Sequence, residues 1–222
     1  NKDYVKLATI SKENKLYPHA HLIPAKFVPD EDFAYFLGLW YGDGCIFGEN
    51  SKEKIQPNTR NRKTKISTSI HGITFTFGSH ENQIIDFVTA YLSKLNISYD
   101  KNENHLLDGT VQIVIHSPVL GYMFEYWFGR RFDGKKLHSS IYSWPKNLVE
   151  KLTAGLIDSD GTITKSGDVR VAMSNQTLIS SFYHLLRSRG IFVGISQSEK
   201  VSRLDFGRNL KLRNESKKTY SD

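Results

Sequence analysis

Two aspartates stand at matching places in the sequence, each after an apolar stretch and directly before a glycine. Asp43 lies near the end of FLGLWYGDG (residues 36–44), and Asp160 near the end of TAGLIDSDG (residues 153–161). The helical spacing of the apolar residues predicts that each aspartate closes a helix. A carboxylate there faces the negative end of the helix dipole, at a cost of roughly 0.3 kcal/mol or more. Because a bound divalent cation would reverse that cost, two acids at matched positions favour a metal site over ordinary Asp-Gly turns.

Small residues one turn apart explain how the two acids could meet. They are Gly38 and Gly42 in the first segment, and Gly155 and Ser159 in the second. A spacing of four places each pair on one helix face, so the two backbones could pack closely and bring the carboxylates together. Such carboxylates repel unless a cation lies between them, and oxygen ligands favour Mg²⁺, with Mn²⁺ able to substitute. The expected metal site comprises Asp43, Asp160, Gly42 and Ser159, and its chemistry would be phosphodiester cleavage.

The order of predicted elements indicates an internal repeat. A helix capped by Asp30 leads to the first acid, and strands around a turn at Gly72 follow over residues 64–77. A helix over 82–95, a hairpin of 97–99 with 111–116, and a helix over 118–128 complete the first copy. The same order of helix, acid, strands, helix and hairpin recurs from Ser143 to about residue 206. We therefore expect three regions, namely an N-terminal arm (1–29), a first half (30–142) and a second half (143–222).

Composition indicates a polyanionic partner. The net charge is +7, and segments 52–65, 130–136 and 199–218 alone carry net charges of +5, +3 and +4. Clustered positive charge of this kind is typical of proteins that bind nucleic acid. The single cysteine excludes an internal disulfide and a cysteine-rich metal site. No apolar run is long enough for a membrane span, and no signal peptide opens the chain, so we expect an intracellular protein with access to DNA, not a secreted one.

The two acidic segments resemble a known family signature. TAGLIDSDG is similar to the LAGLIDADG motif of homing endonucleases, and FLGLWYGDG resembles the more degenerate first copy of intein-borne members. The resemblance spans about residues 30–218 and implies an α/β (α+β) monomer with two pseudo-twofold-related αββαββα halves. It implies that antiparallel sheets form a saddle over double-stranded DNA, and that both strands are cut at a specific site, leaving 3′ overhangs. In that family the last acid of each motif binds the catalytic metal, which corresponds to Asp43 and Asp160. Asp158 matches an earlier acidic position, whose counterpart in the first copy is Tyr41.

The resemblance also implies a basic residue near each metal. The run DGKKLHSSI (133–141) lies where family members carry a lysine before the second signature helix, and either Lys135 or Lys136 fits the alignment. Lys217 or Lys218 occupies the comparable place in the second half. Such a lysine could hold a water molecule or offset charge on the phosphate.

Strands rather than helices are expected to contact the DNA. Because side chains alternate along a strand, polar residues can face the major groove while apolar ones face the core. The predicted DNA-contacting residues are Lys63, Lys65, Ser67, Ser69, His71, Thr74 and Thr76 in the first half, and Thr162, Thr164, Lys165, Arg170 and Ser174 in the second. Arg60 and Arg62 are assigned to phosphates.

Two other functions fit parts of the sequence. A catalytically inactive DNA-binding protein or RNA maturase on the same fold would use the basic surface but would not need both acids. Protein splicing needs a nucleophile at the start of the chain and His-Asn at its end, whereas this chain begins with Asn1 and ends with Asp222. We therefore expect the endonuclease segment of an intein, or a free-standing intron-encoded enzyme.

Overall fold

The computed structural model of the protein describes residues 28–50, 68–104, 109–198 and 201–207, together with the short strands β1 (Tyr4–Val5) and β2 (Ile23–Pro24). The elements of the first repeat are α1 (Glu31–Asp43), β3 (Gly44–Asn50), β4 (Thr68–Gly78), α2 (Asn82–Lys94), β5 (Asp100–Asn104), β6 (Thr110–Ile115) and α3 (Pro118–Phe128). A connection with the short helix α4 (Arg131–Gly134) and a 3₁₀ helix (Ser139–Ser143) follows. The second repeat contains α5 (Lys146–Asp160), β7 (Gly161–Ile163), β8 (Val169–Met173), α6 (Gln176–Ser188), β9 (Gly194–Gln197) and β10 (Ser202–Gly207).

The two repeats share one topology. The first sheet has the strand order β3-β4-β6-β5 and the second has β7-β8-β10-β9, and all pairings are antiparallel. In each sheet, the fourth strand along the chain lies between the second and the third. The fold is thus α+β with two four-stranded antiparallel sheets, which confirms the predicted fold class and the duplication of helix, strand pair, helix and hairpin.

The central helices begin and pack as their sequences predict. Asp30 caps α1, since its side chain accepts a hydrogen bond from the backbone N–H of Phe33 at 2.7 Å. Residues 34–41 of α1 are all buried, as are residues 152–158 of α5. A helix that is buried on every side lies in the middle of a core rather than on its surface. By contrast, α2 and α6 bury only one face each. Phe87 and Tyr91 of α2 pack against α1, and α6 packs against β9 and β10.

Glycines allow α1 and α5 to touch through their backbones. A Cβ atom on Gly38 would lie 2.1 Å from the carbonyl oxygen of Leu152, and one on Gly155 would lie 2.2 Å from the carbonyl oxygen of Tyr35. No side chain fits into either gap. The predicted backbone-to-backbone packing of these two helices is therefore confirmed.

Three details of the predicted elements were wrong. Residues 68–78 form one continuous strand rather than two strands around a turn at Gly72, and a bulge at His71 of β4, opposite Phe47 and Gly48 of β3, takes up the shift in register. The hairpin after α2 begins at Asp100, not at residue 97. Leu95 follows the end of α2 and is exposed.

No helix among the described residues is long and apolar enough to cross a membrane.

Replacing Gly38 with alanine should destabilise the protein. The new methyl group would overlap a backbone carbonyl that cannot move away without shifting α5, so we expect the free energy of unfolding to fall by about 1–3 kcal/mol or more. Urea denaturation measures this change. Gly134→Ala is the control, since a Cβ there meets no atom within 4 Å, and a similar loss in the control would contradict the packing argument.

Candidate metal and DNA-binding site

The two acidic motifs, residues 36–44 and 153–161, end in the same local structure. Asp43 and Asp160 are the last residues of α1 and α5, and the following glycines cap the helices through their backbone N–H groups. The φ angles of Gly44 and Gly161 are −80° and −77°, so these caps are not left-handed. Glycine is needed for space instead, because a Cβ would lie 2.2 Å from Trp40 Cδ1 in one case and from the Ile157 carbonyl oxygen in the other.

The acidic ends of the two helices meet. A Cβ atom on Gly42 would lie 2.2 Å from Ser159 Oγ and 3.2 Å from the carboxyl carbon of Asp160. The carboxylates of Asp43 and Asp160 both act on the ammonium group of Lys135. The structure thus brings together the four residues that the sequence assigned to the metal site. The hydroxyl of Ser159 donates to carbonyls of its own helix, at 3.0 Å to Gly155.

Lys135 is the lysine at this site. Its Nζ donates to the carbonyl oxygens of Trp40 (2.9 Å), Tyr41 (2.8 Å) and Gly42 (3.3 Å), which lie in the last turn of α1. That turn contains no basic residue of its own, so a lysine distant in sequence stabilises the negative end of the helix. The ammonium also lies 4.9 Å from the centre of the Trp40 ring.

Burial changes the ionisation of Lys135. Its residue is only 7% exposed, and desolvation lowers the pKa of the ammonium from 10.5 to about 8. The nearby Asp160, Cys45 and Asp43 act in the opposite direction and limit this decrease. Of the two lysines that the sequence left open in this loop, Lys135 is placed at the acids. Lys136 is exposed, and Lys217 and Lys218 lie outside the described residues.

Asp158 and its counterpart Tyr41, two residues before the terminal acids, form hydrogen bonds to neighbouring segments. Asp158 is buried in α5 and accepts a hydrogen bond from the hydroxyl of Tyr35 at 2.7 Å. Burial, together with this carboxylate, raises the pKa of the Tyr35 phenol. The counterpart residue, Tyr41, is also buried, and its hydroxyl donates to the carbonyl oxygen of Lys136 at 2.9 Å. Each position therefore holds a neighbouring segment in place.

The first sheet turns one face away from the core. This outer face, defined by register and burial, contains Cys45, Phe47, His71, Thr74, Thr76, Asp100, Asn102, Gln112, Val114 and His116. Of the predicted DNA-contacting residues, Thr76 is exposed, whereas Ser69 and His71 are half-buried and lie 3.1 Å apart through Ser69 Oγ and His71 Nε2. Thr74 differs from the expectation of an open polar side chain. It is buried, and its hydroxyl donates to the carbonyl oxygen of Ile113 at 3.1 Å.

The second sheet has a more strongly charged outer face, which contains Thr162, Arg170, Ala172, Gly194, Ser196, Arg203 and Asp205. Arg170 Nε donates to the carboxylate of Asp205 at 2.9 Å, so this predicted DNA-contacting residue has an internal partner. Thr162 and Arg203 are exposed. Sequence analysis did not select Arg203, although its place within the basic segment 199–218 and its strand register could have identified it.

The remaining predicted contacts lie at the ends of strands or outside the described residues. Thr164 Oγ1 accepts from the backbone N–H of Asp168 at 3.0 Å in the turn between β7 and β8, and Lys165 in that turn is exposed. Ser174 follows β8 and is exposed. Five predicted residues lie outside the described part of the chain, namely Arg60, Arg62, Lys63, Lys65 and Ser67.

The donor set at the acids fits a hard divalent cation. In the part of the chain that the structure describes, no group of three or more His, Cys, Asp or Glu residues could hold a metal. Mg²⁺ does not need such a group, because it binds through one or two carboxylates and completes its shell with water and substrate phosphates. Two aspartates and neighbouring backbone carbonyls therefore suit part of the shell of Mg²⁺ or Mn²⁺, which water and a phosphate substrate would complete.

Comparison with known sequences identifies part of the chain. Residues 149–221 match the model of the LAGLIDADG-like domain. Two proteins of Methanocaldococcus jannaschii are similar to the chain, the uncharacterized protein MJ1054 at 26% identity over 182 residues and DNA-directed RNA polymerase subunit Rpo1C at 25% over 185 residues. The matches cover 79% and 81% of this chain but only 18% of either relative, so the chain spans about a fifth of their length.

Solved structures share the fold. Mesophilic variants of the homing endonuclease I-DmoI match with a TM-score of 0.55 at 15% identity, covering 79% of this chain and 87% of theirs. I-DmoI in complex with DNA and Mn matches with a TM-score of 0.54 at 16% identity, covering 79% of this chain and 88% of that one. Full-length DUF199/WhiA from Thermatoga maritima matches with a TM-score of 0.50 at 12% identity, covering 83% and 54%. Residues 149–221 thus match a LAGLIDADG-like domain, and the chain shares the fold of I-DmoI.

The buried lysine should make stability depend on pH. Between pH 8 and 10.5 the unfolded chain keeps a proton that folded Lys135 has released, so this group makes the protein more stable as the pH rises. Lys135→Met removes that contribution, which amounts to up to about 3 kcal/mol. The free energy of unfolding of the wild type, relative to that of Lys135→Met, should therefore increase between about pH 7 and about pH 9.5. Lys136→Met, in the same loop but exposed, is the matched control. An equal pH response of wild type and Lys135→Met would refute the assignment.

Proposed function

We propose that this protein is a site-specific double-stranded DNA endonuclease of the LAGLIDADG homing type. The observation that carries the proposal is the meeting of two aspartates at the ends of two duplicated helices, next to a buried lysine. Two such acids repel each other and face the negative ends of both helix dipoles, and a bound divalent cation would stabilise this arrangement. Their duplication in the two repeats matches a substrate with two antiparallel strands.

Asp43 and Asp160 would hold the divalent cation, with the backbone beside Gly42 and Ser159 as the neighbouring ligand positions. Bound Mg²⁺ or Mn²⁺ would supply Lewis-acid stabilisation of the phosphate and of the attacking and leaving oxygens. The structures of I-DmoI with DNA and Mn, and with target DNA in the presence of Mg, support this choice of ion. Lys135 would keep the two carboxylates together by offsetting their charge. Its hydrogen bonds to three carbonyl oxygens of α1 hold the ammonium in place for this role.

The outer faces of the two sheets would bind the DNA. In the sequence Asp-Gly-X that ends each motif, X is the first outer-face residue of a sheet, Cys45 in one repeat and Thr162 in the other. Both faces therefore begin two residues after an acid and lead away from it. On the second face, a phosphate could bind the exposed Arg203 directly, whereas Arg170 would have to exchange its partner Asp205 for the DNA.

One chain supplies both acids, so a monomer suffices for a complete site. The intein-like first motif and the two relatives, in each of which the matched region is a fifth of a much longer protein, support a nuclease carried inside a host protein. The proposed substrate requires an intracellular location with access to DNA.

Replacing either acid should separate cleavage from binding. Asp43→Asn and Asp160→Asn preserve shape but remove the charge that holds the cation, so we expect double-strand cleavage to fall by at least about 100-fold. DNA affinity, measured without divalent metal, should stay nearly unchanged. Cleavage of a plasmid library of candidate sites with Mg²⁺ measures the first quantity.

Asp86→Asn is the control for this experiment, because Asp86 is an exposed acid on α2. A normal rate of double-strand cleavage by either acid variant would exclude the metal assignment. Binding without any cleavage by the wild type would identify a catalytically inactive DNA-binding protein.

Affinity for DNA should depend steeply on salt. Each neutralised phosphate contributes a slope of about −0.9 to the plot of log affinity against log salt concentration. Arg203→Ala should weaken binding on all sequences and reduce the slope by about 1. Arg187→Ala is the matched control. This exposed arginine of α6 lies over the ring of Phe192 and away from the outer faces. A flat salt response, or equal effects of both variants, would argue against the proposed surface.

A further inference from the structure

The lysine at the acids is carried by the connection between the two repeats. Residues 129–138 leave the end of α3, pass through α4 and turn Lys135 inward beneath α1. The turn is tight, because a Cβ on Gly129 would lie 1.9 Å from the carbonyl oxygen of Gly134. Holding an ammonium out of water is costly, so the backbone that carries it must itself be held in place.

Hydrogen bonds from two side chains and one backbone N–H hold the part of this connection next to Lys135. The backbone N–H of Lys136 donates a hydrogen bond to the carbonyl oxygen of Phe128 at 2.8 Å, and the hydroxyl of Tyr41 donates one to the carbonyl oxygen of Lys136. The third contact comes from the second repeat. Asn175 Nδ2 donates to the carbonyl oxygens of Phe132 (2.9 Å) and of Lys135 itself (2.8 Å).

Asn175 uses both ends of its amide. The residue is buried, and its Oδ1 accepts from the backbone N–H of Leu178 at 2.9 Å, which caps the N-terminus of α6. An N–H on one side and two carbonyls on the other fix the orientation of the amide. Serine, threonine or aspartate would cap the helix equally well. Only the amide adds an NH₂ group, whose two donors are on a different atom from the capping oxygen, so capping alone does not explain asparagine at this position.

We propose that Asn175 is a positioning residue, which fixes the backbone of Lys135 and thereby aims its ammonium at the acidic end of α1. Asn175, which follows β8 in the second repeat, then supports the lysine that lies near the two acids. The folding of α6 and the completion of the site are coupled through one side chain. The catalytic meaning of this coupling rests on the nuclease function proposed above, whereas the coupling itself does not.

Asn175→Ser tests the coupling, because serine keeps the helix cap but cannot reach the two carbonyls. Acylation of lysines with an amine-reactive ester, followed by mass spectrometry, reports how often Lys135 leaves its buried position. We expect the rate at Lys135 to rise by about 10-fold as the supporting hydrogen bonds are lost. The exposed Lys136 is the internal reference, and its rate should not change. Asp30→Ser, a substitution at the α1 cap, is the matched control and should leave Lys135 protected.

A purely structural role of Asn175 gives a different result. If the residue only caps α6, Asn175→Ser should leave the acylation of Lys135 unchanged, and that outcome overturns the proposal. Slow hydrogen exchange at Leu178 verifies that the cap is intact in the variant. Asn175→Asp provides a second, independent variant, since it keeps the cap and directs a carboxylate at the two carbonyls. It should expose Lys135 at least as much as Asn175→Ser does, and unchanged labelling there also overturns the proposal.

Cleavage assays distinguish this proposal from the proposed function. In an active nuclease, Asn175→Ser should slow single-turnover cleavage while the dissociation constant for DNA stays constant, because the outer faces are unaffected. A loss of affinity with an unchanged cleavage rate would contradict a positioning role. If the wild type does not cut DNA at all, the nuclease function fails, but the labelling of Lys135 still decides whether Asn175 holds it.

Discussion

Gly38 and Gly155 allow the backbones of α1 and α5 to touch, and the rest of the molecule is arranged around that contact. Because these helices lack side chains where they cross, their C-terminal ends converge instead of diverging. The convergence places two carboxylates in one small region and sends a sheet away from each. A bulkier residue at the crossing would separate the acids and tilt both sheets, so packing, metal binding and substrate binding all depend on one interhelical distance.

Electrostatics at this junction are balanced by a group from outside the helices. Two helix C-termini and two aspartates concentrate negative charge, and α1 has no basic residue in its last turn. Lys135 compensates for that charge from the connection between the repeats and places its three donors on helix carbonyls. The lowered pKa of this lysine reflects the cost of its burial. A charge that is expensive to bury and fully hydrogen-bonded specifies one arrangement of the chain around it.

The sequence was sufficient for features that depend on local pattern. The cap of α1, the two acidic helix ends and the repeat follow from periodicity and capping residues. The spacing of Gly38 with Gly42, and of Gly155 with Ser159, predicted the helix contact. Features that depend on distant contacts were not predictable. The bulge at His71 is set by pairing with β3, the hydroxyl of Thr74 is used within the sheet, and the choice between Lys135 and Lys136 depends on the path of a connection. Sequence analysis did not single out Asn175, because its amide donates to two carbonyls that are distant in sequence.

The route of the connection has a consequence for synthesis on the ribosome. Chains emerge from the N-terminus, and domains generally fold as they are completed. The first sheet and its helices can assemble early, but the last turn of α1 stays without its cation until residue 135 has emerged, and the loop bearing that cation gains its contact with Asn175 only after residue 175. The acidic end of α1 is thus the last part of the first repeat to mature. A truncated nascent chain would carry the sheet without a finished centre, so assembly order itself delays the appearance of the complete site.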